Sequence, residues 1–133
     1  MSDLKITRVA NSNLPKLDFS NIPFGKVFTD HMYVADYIDG EWTNIEIVPV
    51  GELSIHPGNL AWHYGQSIFE GMKATRDQAG TPLLFRPEEH VYRLNASARR
   101  MCMPEVPEEM FLEAVHTLVK LEKDWIPPAE GSA

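Results

Sequence analysis

The segment His63-Tyr64-Gly65-Gln66-Ser67-Ile68-Phe69-Glu70-Gly71-Met72-Lys73-Ala74 gathers aromatic rings, ionisable groups and two glycines into one short run. Glycine allows the backbone to come close to a neighbour, and a tyrosine combines an apolar ring with a phenol that can hydrogen-bond. From residue types alone a plainer alternative stands beside this one: the glycines mark a bend or bulge, and Tyr64 and Phe69 are ordinary core. Other chemistries find less support. The five histidines, His31, His56, His63, His90 and His116, lack the spacing of a metal-binding pair, so no metal site is expected. No Walker loop, Gly-x-Gly-x-x-Gly fingerprint or Gly-x-Ser-x-Gly elbow occurs. The single cysteine, Cys102, lies between Met101 and Met103 and reads as a small buried hydrophobe.

These residues need a frame. Residues 1–25 contain Pro15 and Pro23 and no sustained period, which predicts an irregular arm lying over the body. Met32 to Ile38 and Thr43 to Val48 are rich in β-formers and flank Asp39-Gly40, a pair that supplies the positive φ angles of a tight hairpin. Gly51 to Gly58 reads as loop, and Leu60 begins a stretch whose first half suits a short helical turn. Phe69 to Arg76 and Pro82 to Phe85 flank Asp77-Gln78-Ala79-Gly80 as a second hairpin. Pro87 with Glu88 and Glu89 suits the positive end of a helix running to about Met101, with Val91, Leu94, Ala98 and Met101 as its buried stripe and Arg93, Ser97 and Arg100 on another face. A second helix is expected from Pro107, burying Phe111, Leu112, Val115, Leu118 and Val119 and ending near Lys120 and Lys123. The tail from Trp125 carries no closing element in its pattern. Strands followed by helices predict an α+β fold, with a mixed or antiparallel sheet and two amphipathic helices packed on it.

At 133 residues and 44% hydrophobic content the chain suits a single domain, an arm over 1–25 and an α+β body over 26–133. Its net charge of −7, from 12 basic and 19 acidic side chains, opposes nucleic-acid binding, which needs a dense basic surface. No apolar run approaches the length of a membrane span, and the N-terminus lacks a secretory pattern, so a cytoplasmic location is expected.

Four separated blocks carry a resemblance. His63 to Ala74 resembles the His-Tyr-Gly-Gln-x-x-Phe-Glu-Gly-x-Lys-Ala signature of branched-chain aminotransferases, of the fold type IV pyridoxal-phosphate enzymes. Phe24 to Met32, Leu84-Phe85-Arg86-Pro87 and Arg93 to Pro104 match in the same order. Lys123 to Pro127 is similar too, so the likeness covers nearly the whole chain. It matches D-amino acid aminotransferases and aminodeoxychorismate lyases less well.

What the resemblance implies is a half-site on the family's small N-terminal domain. Arg93 takes the place of the arginine that binds the phosphate of pyridoxal phosphate, a role suited to its planar charged fork. Tyr64 matches the tyrosine lining the substrate pocket, and Phe24 and Phe69 match aromatics around a leucine, isoleucine or valine side chain. Many members have asparagine where this chain has His90, which bears on how Arg93 is held. The family's Schiff-base lysine lies in a larger C-terminal domain; Lys73 aligns with a structural lysine instead, so no catalytic residue is assigned.

The resemblance therefore implies transfer of an amino group from a branched-chain amino acid to 2-oxoglutarate by the complete enzyme. The 133 residues alone, read as a small domain cut before its last strands, are expected to be inactive and not to retain pyridoxal phosphate. Exposed sheet edges and domain faces predict a homodimer or higher oligomer. The competing expectation is a non-catalytic interaction module that keeps the fold.

Overall fold

A computed structural model describes residues 4–128, so the last part of the tail, 129–133, lies outside the described residues. The first hairpin forms around the turn that its sequence announces. Strand β2 (His31–Ile38) turns through Asp39 and Gly40, at φ 53° and 90°, into β3 (Glu41–Pro49), with Ile38 opposite Glu41 and Tyr33 opposite Ile47. A register shift falls between Val34 and Asp36. Across from it Asn44 adopts φ 49° and its amide donates to Asp36 Oδ2 at 2.8 Å, so a side chain takes up the irregularity.

The arm is less irregular than its sequence suggests. Lys5–Ile6 forms β1, parallel to β3 on its free edge, with Lys5 Nζ 2.8 Å from Glu46 Oε2. The three-stranded sheet is thus mixed, ordered β1-β3-β2. A 3-10 turn follows at Leu14–Lys16. Between the two, the arm is tied to a buried polar knot. The Val9 amide donates to His31 Nε2 at 3.0 Å, the Asn13 amide to Asp30 Oδ1 at 2.9 Å, and the Ser12 hydroxyl to Asp30 Oδ2. His31 Nδ1 bonds Glu122 Oε1, and Trp125 Nε1 donates to Asp30 Oδ2 at 3.3 Å, so the knot also holds the end of the chain's last helix. Because Nε2 accepts, the imidazole proton resides on Nδ1, facing Glu122.

The second hairpin is smaller: β4 (Ala74–Arg76) pairs antiparallel with β5 (Pro82–Leu84). Asp77 Oδ1 closes the loop by accepting the amides of Ala79 and Thr81 at 2.9 and 2.7 Å. Residues 69–73, expected in the strand, are extended but have no ladder partner.

Three helices complete the described residues: α1 (Leu60–Tyr64), α2 (Pro87–Arg100) and α3 (Glu108–Leu121). The architecture is the expected α+β class, with α3 resting on β2 and α2 on α3. Val91 and Ala98 are buried on the α2 stripe, with Leu94 and Met101 half-buried beside them. On α3 only Ala114 is buried; Phe111, Leu112, Val115, Leu118 and Val119 are half-buried, and Phe111, Val115 and Leu118 border a groove of about 350 Å³ that remains open between α3 and the sheet, lined also by Tyr33, Trp42 and Met110. Lys123 lies past α3, in a 3-10 turn (Lys123–Trp125), and Ile126 behind it is buried.

Cys102 is exposed, which corrects its reading as a buried hydrophobe. The helix end explains this. The Met103 amide bonds the Ala98 carbonyl at 2.9 Å and the Cys102 amide bonds Arg99 at 3.2 Å, a Schellman closure that forces Cys102 to φ 53° and turns its side chain outward.

Candidate functional site

The signature segment begins on α1. Asn59 Oδ1 caps that helix by accepting the Ala61 amide at 2.8 Å, Tyr64 is its last residue, and Gly65 at φ 64° ends it in the left-handed region that glycine enters freely. Gly65 therefore serves the turn. A side chain at Gly65 or Gly71 would meet open space, so neither glycine marks a close approach to another described part of the chain.

From Gln66 to Arg76 burial alternates without a break: Gln66, Ile68, Glu70, Met72, Ala74 and Arg76 are half-buried, and the residues between them are exposed. This is the period of an extended chain, with one face laid on the body. Two side chains peg it to α2. Gln66 Nε2 donates to the Met101 carbonyl at 2.9 Å, and Glu70 receives Arg93. Four extended residues span roughly 13 Å and eight helical residues rise about 12 Å, so the segment from 66 to 70 runs antiparallel to α2 from 101 back to 93 with its length matched.

Glu70 is the centre of the polar contacts. Its carboxylate is only 9% exposed, whereas the Arg93 side chain is 67% exposed. Arg93 Nε donates to Oε2 at 2.7 Å and Nη2 to Oε1, a two-point fork. The Gly71 amide donates to Oε1 at 2.8 Å, and His90 Nδ1 lies 3.3 Å from the same oxygen. The Arg93 bonds, with smaller help from Gly71 and His90, outweigh desolvation and pull the Glu70 carboxyl down to about 2. The guanidinium responds in the opposite sense, its pKa raised by Glu70. Of five guanidinium protons two are engaged. The Nη1 edge faces away from Glu70, and among the described residues nothing else bonds the guanidinium.

Of the residues singled out from sequence, the fold brings Arg93 and His90 together with the signature segment through Glu70. His90, the departure from the family pattern, shares the carboxylate that holds Arg93. Tyr64 and Phe69 sit on the same segment, both open to solvent, Phe69 at 91% on the face turned away from Glu70; Phe24 is fully exposed on a separate turn. None of the three is core, and among the described residues none stacks on another ring. Sequence reasoning passed over Glu70 and Gln66. The available signal was the two-residue period, which puts a carboxylate on the inward face, where it requires a cation.

Among the described residues no group of three acidic, histidine or cysteine side chains could hold a metal ion, and no helix is long and apolar enough to cross a membrane. No protein-family model matches the chain. Individual proteins do. It is 45% identical to Branched-chain-amino-acid aminotransferase 2 of Bacillus subtilis (strain 168) across 94% of this chain, and 47% identical to Branched-chain-amino-acid transaminase 1 of the same organism across 89%. A branched-chain-amino-acid aminotransferase of Mycolicibacterium smegmatis is 43% identical across 96%. The chain is homologous to a part of the branched-chain aminotransferases. It spans about a third of the length of these curated relatives, 35%, 33% and 36% respectively, the extent of a small domain of a branched-chain aminotransferase.

Proposed function

We propose that this chain is the small domain of a pyridoxal-phosphate-dependent enzyme that transfers the amino group of leucine, isoleucine or valine to 2-oxoglutarate. The observation that carries the reading is the Arg93 fork: one edge is fixed by a buried carboxylate and the other stands open to solvent, as a phosphate monoester requires. That donor set fits the phosphate end of the cofactor, whose ring, once bound, supplies the electron sink of transamination. Arg93 binds the phosphate. Tyr64 offers an apolar wall and a phenol for orientation, and Phe24 and Phe69 are apolar surface for an aliphatic side chain. Such walls discriminate by only about 1–3 kcal/mol per methylene, which suits three similar substrates.

In this reading the 133 residues alone hold pyridoxal phosphate weakly and do not transaminate, because Arg93 is one half of a clamp. The enzyme acts in the cytoplasm as a dimer or higher oligomer. A second reading, a non-catalytic interaction module, draws on the exposed apolar residues Phe69, Leu83 and Phe85.

The test is a chimera in which this chain replaces the matching segment of the Bacillus subtilis aminotransferase 2. We expect it to take up pyridoxal phosphate and to transaminate leucine with 2-oxoglutarate, and Arg93→Ala to release the cofactor. A folded chimera that binds no cofactor and turns over no leucine would favour the interaction module.

A further inference from the structure

We infer that Glu70 is a positioning residue: it fixes the Arg93 guanidinium so that its outer edge is presented, already oriented, to the phosphate of a phosphorylated ligand. The inference rests on the proposed phosphate role of Arg93.

Arginine has four side-chain torsions, and one standing 67% exposed on a helix would ordinarily sample many of them. Ordering such a side chain on binding costs affinity. Here that ordering is already made. Glu70 accepts from both Nε and Nη2, which sets the plane of the guanidinium as well as its position. Glu70 is itself held: its side chain is 9% exposed, its own segment returns the Gly71 amide to it, and His90 flanks it from one helical turn before Arg93. Gln66, pegged to Met101, holds the approach to it. A rigid acceptor on the inner edge leaves Nη1 and the second Nη2 proton as a preset pair of donors outside.

Glu70 also repels an incoming phosphate, so neutralising it would mix two opposite effects. Glu70→Asp separates them, because the charge stays while the carboxylate retreats by one methylene and loses the two-point contact. The experiment follows the Arg93 Nε–H signal and the backbone amides of residues 66–71 and 90–94 by NMR in the full 133-residue chain, during a titration with pyridoxine 5′-phosphate carried to concentrations at which a weak ligand saturates; this compound has no aldehyde to react with lysines, and unphosphorylated pyridoxine is the control. We expect a saturable shift with the phosphorylated compound only, an affinity about fivefold to tenfold lower in Glu70→Asp with the remaining amide spectrum intact, and loss of the backbone-amide response in Arg93→Ala. The free Glu70→Asp chain should also show averaged Nη protons where the parent shows restricted ones. If Glu70→Asp binds as tightly as the parent while Arg93→Ala does not bind, the positioning role is overturned and the phosphate reading stands. If the parent Arg93 does not respond, or Arg93→Ala binds equally, the phosphate reading fails and the inference with it.

Discussion

His31 and Val9, twenty-two residues apart, meet in a hydrogen bond of 3.0 Å in which the backbone amide of the arm donates to the imidazole Nε2. The other ring nitrogen is committed to Glu122, so one buried side chain joins the arm to the end of α3. Replacing His31 with alanine leaves the Glu122 carboxylate and the Val9 amide without this partner. We expect a loss of about 2–3 kcal/mol, read from urea unfolding, and faster amide exchange over residues 5–13. Unchanged exchange there would show that Asp30 and the β1–β3 pairing retain the arm without His31.

Acid should weaken the chain through Glu70. Its folded pKa, about 2, lies below the ordinary 4.5, so the unfolded state takes up the proton first as pH falls. The contribution is complete above about pH 4.5 and declines as pH falls from there toward 2. Urea midpoints measured between pH 6 and 2.5 should therefore drop less steeply in Glu70→Gln than in the parent. Equal slopes would mean that the ion pair adds nothing against solvent.

Cys102 holds a positive φ that side-chain-bearing residues occupy at a cost, at the position where helices prefer glycine. Cys102→Gly should stabilise the chain by about 1 kcal/mol, measured as a raised urea midpoint at constant slope. The native thiol, being exposed, should also react with a thiol reagent without unfolding.

Phe69, Leu83 and Phe85 leave apolar surface open along the extended segment and the small hairpin. Self-association is the expected result, seen as a mass above that of the monomer by light scattering at high concentration. Phe69→Ser with Phe85→Ser should return the chain to monomer mass. A parent that is already monomeric would refute the expectation.

Much of this fold is legible in the residues. Asp39-Gly40 fixed one turn and Asp77 to Gly80 the other, since each pair of strands needs a loop with particular φ angles, and Pro87 and Pro104 bracket α2 because proline cannot continue a helix. What escaped notice depends on tertiary partners. Lys5–Ile6 is too short to show a period and is a strand only because β3 offers an edge. Cys102 has hydrophobic neighbours in sequence, but the helix closure decides where it points. For the candidate site, Arg93 was found through resemblance, whereas Glu70 required knowing that its face of the segment lies on α2.

The pegging of residues 66 and 70 to α2 also constrains how this stretch can vary through descent. Exchanges at the outward positions 67 and 69 leave both pegs in place. Inserting or deleting one residue between them shifts the two-residue period by one step and turns the carboxylate to water, an insertion bringing Phe69 toward the guanidinium and a deletion bringing Gly71. The length of this interval is therefore locked to the rise of the neighbouring helix more tightly than the identity of its outward side chains is locked to either peg.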